Sequence, residues 1–146
     1  ILGTNARLTD IQAGIGLAQL KKLKKYVSLR NKVASQYNFL LKNNKKITLP
    51  VVKKNSYNAY FSYPILINKR DKVAKNLKIK YGIDTRIAYK MPIYKQNIYK
   101  KKKHPFKKLK CPNAEYITKK ILNLPIFPSL DKNKILYIVQ SLNKEI

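Results

Sequence analysis

The run Gly3-Thr4-Asn5-Ala6-Arg7-Leu8-Thr9-Asp10-Ile11-Gln12-Ala13-Gly14-Ile15-Gly16 is where residue types and spacing could do chemistry. Thr9 stands where a helix N-cap belongs, and Gln12 follows three residues later. At that spacing the Thr9 hydroxyl can accept the Gln12 backbone N–H while the Gln12 side chain reaches back to the Thr9 N–H. Gly3 permits a tight or left-handed backbone just upstream. Asn5 and Arg7 then flank a helix start, whose free N–H groups and dipole favour an anion. Spacing leaves two readings open. Asn5 and Arg7 contact a phosphate or carboxylate, or the loop is polar and merely leads into a helix, since capping boxes are common.

Other chemistry is sparse. His104 is the one histidine and lies beside Pro105 in a basic stretch, a setting more typical of a surface residue than of a catalytic one. Cys111 is alone, which leaves no disulfide framework and no zinc cluster. A reducing cytoplasm fits that count. No run approaches the roughly 18 apolar residues of a membrane helix, and no signal peptide is visible at the N-terminus. The chain opens on Ile, which predicts a piece of a longer protein or a processed one.

Charge is the dominant feature: 33 basic residues face 6 acidic ones, a net +27. One reading is a module that binds nucleic acid or an anionic surface. The other is a coding bias toward AT-rich codons, and the abundance of Asn, Ile and Tyr beside Lys favours it. Only Arg7, Arg30, Arg70 and Arg86 are arginines, and the other 29 bases are lysines. Base-reading and phosphate-clamping sites prefer the bidentate arginine fork. No specific nucleic acid and no membrane are therefore expected as partners, although non-specific polyanion binding would follow from the charge itself.

Periodicity supplies the elements that must position these residues. A first helix is expected over Thr9–Leu23, with Ile11, Ile15, Ala18, Leu20 and Leu23 inward. Gly14 and Gly16 are poor helix formers and suggest a close neighbour on that face. A second helix is expected over Lys24–Asn43, with Tyr26, Val27, Arg30, Val33, Ala34, Tyr37, Leu40 and Leu41 in its stripe. Ile47–Val52 reads as a short strand. Tyr57, Ala59, Phe61, Tyr63, Ile65 and Ile67 alternate as one buried strand face, with Pro64 marking an edge or a bulge. Asn68–Lys80 reads as a helix closed by Gly82, and Ile83–Tyr89 as a further strand. Lys90–Cys111 is irregular, and its Lys100–Lys103 run reads as a solvated loop. Asn113 is expected to cap a helix over Ala114–Leu122, followed by an extended apolar link from Leu124. Asp131 should start a last helix with Ile135, Ile138, Val139 and Leu142 buried. The class is α/β in one unit of 146 residues.

The opening run resembles a known signature. Gly3-x-Asn5-x-Arg7-Leu8-Thr9-Asp10-Ile11-Gln12-Ala13, continuing through Gly16 and Gln19-Leu20, is similar to the GxNxR(M/L)T-x-x-QA-x-x-G-x-x-QL pattern of the DegT/DnrJ/StrS nucleotide-sugar aminotransferases. Later segments agree: Gly82-Ile83-Asp84-Thr85-Arg86, the loop Pro92–Tyr99, Ala114-Glu115 and Leu124-Pro125-x-x-Pro128-x-Leu130. The resemblance implies a pyridoxal 5'-phosphate enzyme of the aspartate-aminotransferase type (fold type I). This chain would be its C-terminal small domain, residues 1–146 with the preceding interdomain helices and a small, mainly antiparallel sheet. The large cofactor domain would lie outside it.

The family's activity follows from the resemblance alone. An amino group passes, usually from glutamate, through the cofactor to a keto sugar on a nucleotide carrier, for surface-polysaccharide or antibiotic sugar synthesis. The Schiff-base lysine lies upstream in such enzymes, so none of the 29 lysines here is assigned that role, no catalytic residue is named in this chain, and the chain alone would be inactive. Asn5, with Arg7 beside it, is expected to reach the phosphate of the cofactor in the partner of a homodimer. Arg86 and Tyr94 are expected to face the substrate. Tyr94 stands where the family usually has His, and tyrosine does not titrate near neutral pH. That departure and the missing large domain keep an inactive family remnant as an alternative, beside the basic binding module.

Overall fold

The computed structural model describes residues 7–100 and 109–146. Asn5, His104 and Lys101–Lys103 lie outside them. The elements are α1 (Asp10–Leu41), β1 (Ile47–Thr48), β2 (Tyr63–Ile67), α2 (Arg70–Tyr81), two short 3₁₀ turns (Ile93–Lys95 and Asn97–Lys100), α3 (Pro112–Lys120), β3 (Ile121–Leu124) and α4 (Lys132–Glu145). The strands form one antiparallel sheet in the order β1-β2-β3. The core lies where α1, α2 and α4 meet this sheet.

The two helices expected over residues 9–43 are one helix of 32 residues, about 48 Å long at 1.5 Å per residue. The stripe changes phase near Leu23, but Leu23-Lys24-Lys25 are all good helix formers, and neither Gly nor Pro interrupts the backbone there. The capping box forms as the spacing predicts. The Thr9 Oγ1 accepts the Gln12 N–H at 3.3 Å, and the Gln12 Oε1 accepts the Thr9 N–H at 3.1 Å. The second half of α1 enters the core through Val27, Val33, Ala34, Tyr37 and Leu41. The first half does not. Ile11 is 77% exposed and Ile15, Leu20 and Leu23 are exposed as well. A methyl group placed on Gly14 or Gly16 would meet nothing within 4 Å. The close neighbour those glycines suggest is not supplied by the described residues.

The long alternating strand shortens to β2, with Tyr63, Ile65 and Ile67 buried. Its upstream part fails for a local reason. The Asn58 Oδ1 accepts the Tyr60 N–H at 2.8 Å, and Tyr60 takes a left-handed φ of 45°. That turn flips the phase, so Tyr60 is buried while Tyr57 and Phe61 face out. Pro64 sits in the middle strand, not at an edge. It is tolerated because β1 pairs only with Leu66 and Ile67, leaving no ladder partner on that side of Pro64.

Helix α2 matches its expectation. Val73 and Leu77 are buried, and Gly82 closes the helix at φ 65°. The buried Arg70 ties its start to β3, donating from Nη1 to the Ile121 carbonyl at 3.0 Å. Ile83–Tyr89 is not a strand: only Arg86 pairs, with Asn123. The helix expected to run on to Leu122 ends at Lys120. Its cap is Cys111, with Pro112 in its first turn, and not Asn113. Ile121–Leu124 instead fills the open edge of β2. In α4, Asp131 caps the helix by accepting the Lys134 N–H at 2.9 Å, and Ile135, Ile138, Val139 and Leu142 are all buried. Glu145 then joins α4 to α2 by accepting from Asn76, from Lys80 at 2.8 Å and from Tyr81 at 3.2 Å. Among the described residues no helix is long and apolar enough to cross a membrane.

Leu142 is fully buried in the stripe that closes the core. Leu142→Ala is expected to lower stability by about 2–5 kcal/mol through lost transfer energy and the cavity left behind. Urea unfolding followed by circular dichroism checks this. A loss below about 1 kcal/mol would mean that the site is not packed as described.

Candidate functional site

Arg7 is exposed, two residues before the Thr9 cap. The capping box satisfies the Thr9 and Gln12 N–H groups, while those of Asp10 and Ile11 remain at the positive end of the helix dipole. Asn5 precedes them outside the described residues. This donor set (backbone N–H groups with one guanidinium beside them) suits a phosphate in its chemistry. Asp10 in the first turn is the one opposing charge there. Arg7 stands about 30 Å along the helix from Val27, where α1 enters the core.

Arg86 is held by its backbone. Its N–H donates to the Asn123 carbonyl at 3.1 Å, and its carbonyl accepts both the Asn123 N–H and the Asn123 Nδ2, each at 2.9 Å. Asn123 is buried, so its amide is committed to this contact. The Arg86 side chain is exposed. A single bridge to β3 thus fixes the backbone of Arg86 and leaves its guanidinium to reach outward.

Tyr94 lies in the first 3₁₀ turn and is half-buried. Its hydroxyl donates to the Glu115 Oε1 and accepts the Cys111 N–H at 3.2 Å. The Lys95 Nζ lies 2.6 Å from the Glu115 Oε2. One carboxylate therefore takes two successive loop residues. Lys95, then Tyr94, hold the Glu115 carboxyl below its ordinary value, and Lys119 adds to this. Burial, then the bond to Glu115, push the Tyr94 phenol up, so it stays a protonated donor at neutral pH. Bonding to Glu115 raises the Lys95 ammonium likewise.

An apolar surface is left uncovered beside α1. A hollow of about 490 Å³ lined by Leu23, Lys24, Val27, Tyr57 and Ala59 adjoins the exposed first half of α1. Val51, Tyr57 and Phe61 are exposed on the nearby loop.

Residues 1–143 match the sequence pattern of the DegT/DnrJ/EryC1/StrS aminotransferase family. The chain belongs to that family. It is 30% identical over 141 residues to UDP-2-acetamido-2-deoxy-3-oxo-D-glucuronate aminotransferase of Pseudomonas aeruginosa, covering 97% of this chain and 37% of the relative. It is 31% identical over 150 residues to GDP-perosamine synthase of Escherichia coli O157:H7, covering 99% of this chain and 38% of the relative. Among solved structures it superposes on Helicobacter pylori PseC, an aminotransferase of pseudoaminic acid biosynthesis, with a TM-score of 0.85 at 27% identity. That match covers 99% of this chain and 39% of PseC. Streptomyces venezuelae DesV gives a TM-score of 0.87, also at 27% identity, over 97% of this chain and 38% of its own. The chain thus spans under two-fifths of the length of these relatives. Its α/β architecture, four helices on a small antiparallel sheet, is that of the corresponding part of fold-type I sugar aminotransferases.

For this family member, three residues in the loop cluster escape sequence reasoning as site residues: Lys95, Cys111 and Glu115. Cys111 and Glu115 lie 16 and 20 positions beyond Lys95, so no period links them to that loop residue. One local signal exists. Pro112 stands next to Cys111 with Glu115 in the same first turn, which marks a helix start there.

The lowered carboxyl of Glu115 has a pH signature. Its bonds contribute at and above about pH 4.5, the ordinary value, and are lost as pH falls through the lowered folded value. Acid unfolding of wild type and Glu115→Gln should therefore converge at the acid end and separate above that window. A separation independent of pH would mean that the charge of Glu115 contributes nothing.

Proposed function

We propose that this chain is the C-terminal small domain, with the helix leading into it, of a pyridoxal 5'-phosphate-dependent aminotransferase. The enzyme moves an amino group from glutamate to a nucleotide-linked keto sugar, in the cytoplasm and as a homodimer. The observation that carries this reading is the unbroken Gly3–Leu20 signature set on a helix start, within a family match over residues 1–143. The similarity to a UDP-sugar aminotransferase of Pseudomonas aeruginosa and a GDP-perosamine synthase of Escherichia coli supports the substrate class.

Asn5 and Arg7 bind the cofactor phosphate at the α1 N-terminus. An uncharged amide and a guanidinium on a capped turn hold an anion without rearranging. The cofactor, when bound, supplies the electron sink that stabilises charge at the reacting carbon. The distance of Arg7 from the core of its own chain supports a shared site, in which this turn serves the cofactor of the partner subunit. Arg86, with a fixed backbone and a free-reaching guanidinium, and the loop bearing Tyr94 line the substrate side. An arginine there suits the diphosphate of a nucleotide sugar. The large domain covers the first half of α1, which supports close packing against Gly14 and Gly16.

In the full-length protein, Asn5→Ala is expected to weaken cofactor retention by about tenfold or more, the worth of a hydrogen bond to a charged phosphate. Fluorescence or absorbance titration of the cofactor measures this. Unchanged affinity would remove Asn5 from the site. An upstream sequence without a cofactor-bonding lysine would remove transamination altogether.

A further inference from the structure

We propose that Tyr94 is a positioning residue whose hydroxyl latches the Pro92–Tyr99 loop onto the otherwise uncapped start of α3, through Glu115 and the Cys111 N–H. Helix α3 needs such a hold. Its cap residue Cys111 makes no side-chain capping bond, Pro112 has no N–H to offer, and none of the nine helical residues is buried. Cysteine lacks the short oxygen acceptor that a good N-cap supplies. The Tyr94 hydroxyl, 17 residues away, instead accepts the N–H of Cys111 itself, the backbone donor that an N3 side chain takes in a capping box.

The hydroxyl has one hydrogen to donate and two lone pairs. Its hydrogen goes to Glu115 and one lone pair to Cys111. As a donor toward a sugar it is already spent. The second oxygen of Glu115 takes Lys95, so the same carboxylate fixes two successive loop residues. Tyr94 thereby sets where the loop stands without itself touching the ligand. That the loop faces a nucleotide sugar rests on the function proposed above, whereas the latch does not.

Two measurements on the full-length, cofactor-loaded protein test this in Tyr94→Phe, Glu115→Ala and the double variant. Amide exchange at Cys111 and across residues 93–99 is expected to speed up about tenfold in each single variant, and no further in the double, since one unit is broken. Calorimetry with UDP, GDP and dTDP as probes is expected to show affinity for the tightest of them falling about tenfold in both single variants. Exchange unchanged in Tyr94→Phe, or effects that add in the double variant, would overturn the latch. So would loss of diphosphate binding in Tyr94→Phe alone, which would make the hydroxyl a ligand contact. If wild type binds none of the three diphosphates, the substrate reading fails while the exchange comparison still decides the latch.

Discussion

The stacked pair of Tyr37 and Tyr63 is the contact on which the rest of the structure depends. Their ring centroids lie 4.9 Å apart at an interplanar angle of 29°, in the range where offset aromatic pairs attract beyond simple burial. Tyr37 belongs to α1 and Tyr63 to the middle strand, so the pair joins the one long helix to the sheet. Both hydroxyls are used. Tyr37 donates to the Pro125 carbonyl at 2.9 Å, just past β3, and Tyr63 donates to the Asn38 Oδ1 at 2.6 Å. Burial pushes both phenols above their ordinary value, so they remain neutral donors. Two rings thus orient α1, β2 and the exit of β3 relative to one another. The positions of Arg86 and Tyr94 follow from that frame, because β3 holds Arg86 and α3 runs directly into β3.

Acids are scarce in this chain, and their placement is correspondingly informative. Among the described residues, Asp71, Asp84, Glu115, Asp131 and Glu145 form ion pairs. Exposed pairs contribute little by themselves. Three of these acids do more, because each also accepts uncharged donors at a junction of elements. Asp131 caps α4, Glu145 joins α4 to α2, and Glu115 joins the irregular loop to α3. The sixth, Asp10, sits in the first turn of α1, where the helix dipole favours a negative charge. The excess of lysine therefore coats a fold whose few negative charges are concentrated at joints.

Helix α1 divides into two environments without a break in its backbone. Its second half is core. Its first half carries Ile, Leu and paired glycines into solvent, beside an apolar hollow. Contiguous apolar exposure of this kind marks an interaction surface. Membership of a family whose relatives are more than twice as long as this chain gives that surface a natural context. Arg7 and the Thr9 cap lie at the far tip of this helix, so the same rod that anchors the sheet carries them away from it.

Much of the fold was legible because it is written in short-range terms. The Thr9–Gln12 capping box, the Gly82 stop, the Asp131 cap and the buried stripe of α4 each depend on residues three or four apart, and each formed as expected. The family signature was legible for the same reason, being contiguous. Asn5 and Arg7 could be named from it, although sequence spacing alone favoured a plain loop. The errors arose where two locally adequate states competed. Ile121-Leu122 suits a helix or a strand, and only the open edge of β2 favoured the strand. Residues 83–89 alternate well, yet no neighbouring strand remained to pair with them beyond Asn123. Leu23–Lys25 permits a helix to end or to continue, and in the folded chain it continues into the stretch whose Val33, Ala34, Tyr37 and Leu41 join the core. The contact between Tyr94, Glu115 and Cys111 was invisible, since nothing local relates residues so far apart. Sequence by itself determined caps, stops, stripes and kinship, because these follow from neighbours along the chain. Tertiary structure alone decided strand partners, helix continuity and the loop cluster, because those energies come from surfaces that meet only after the chain has folded.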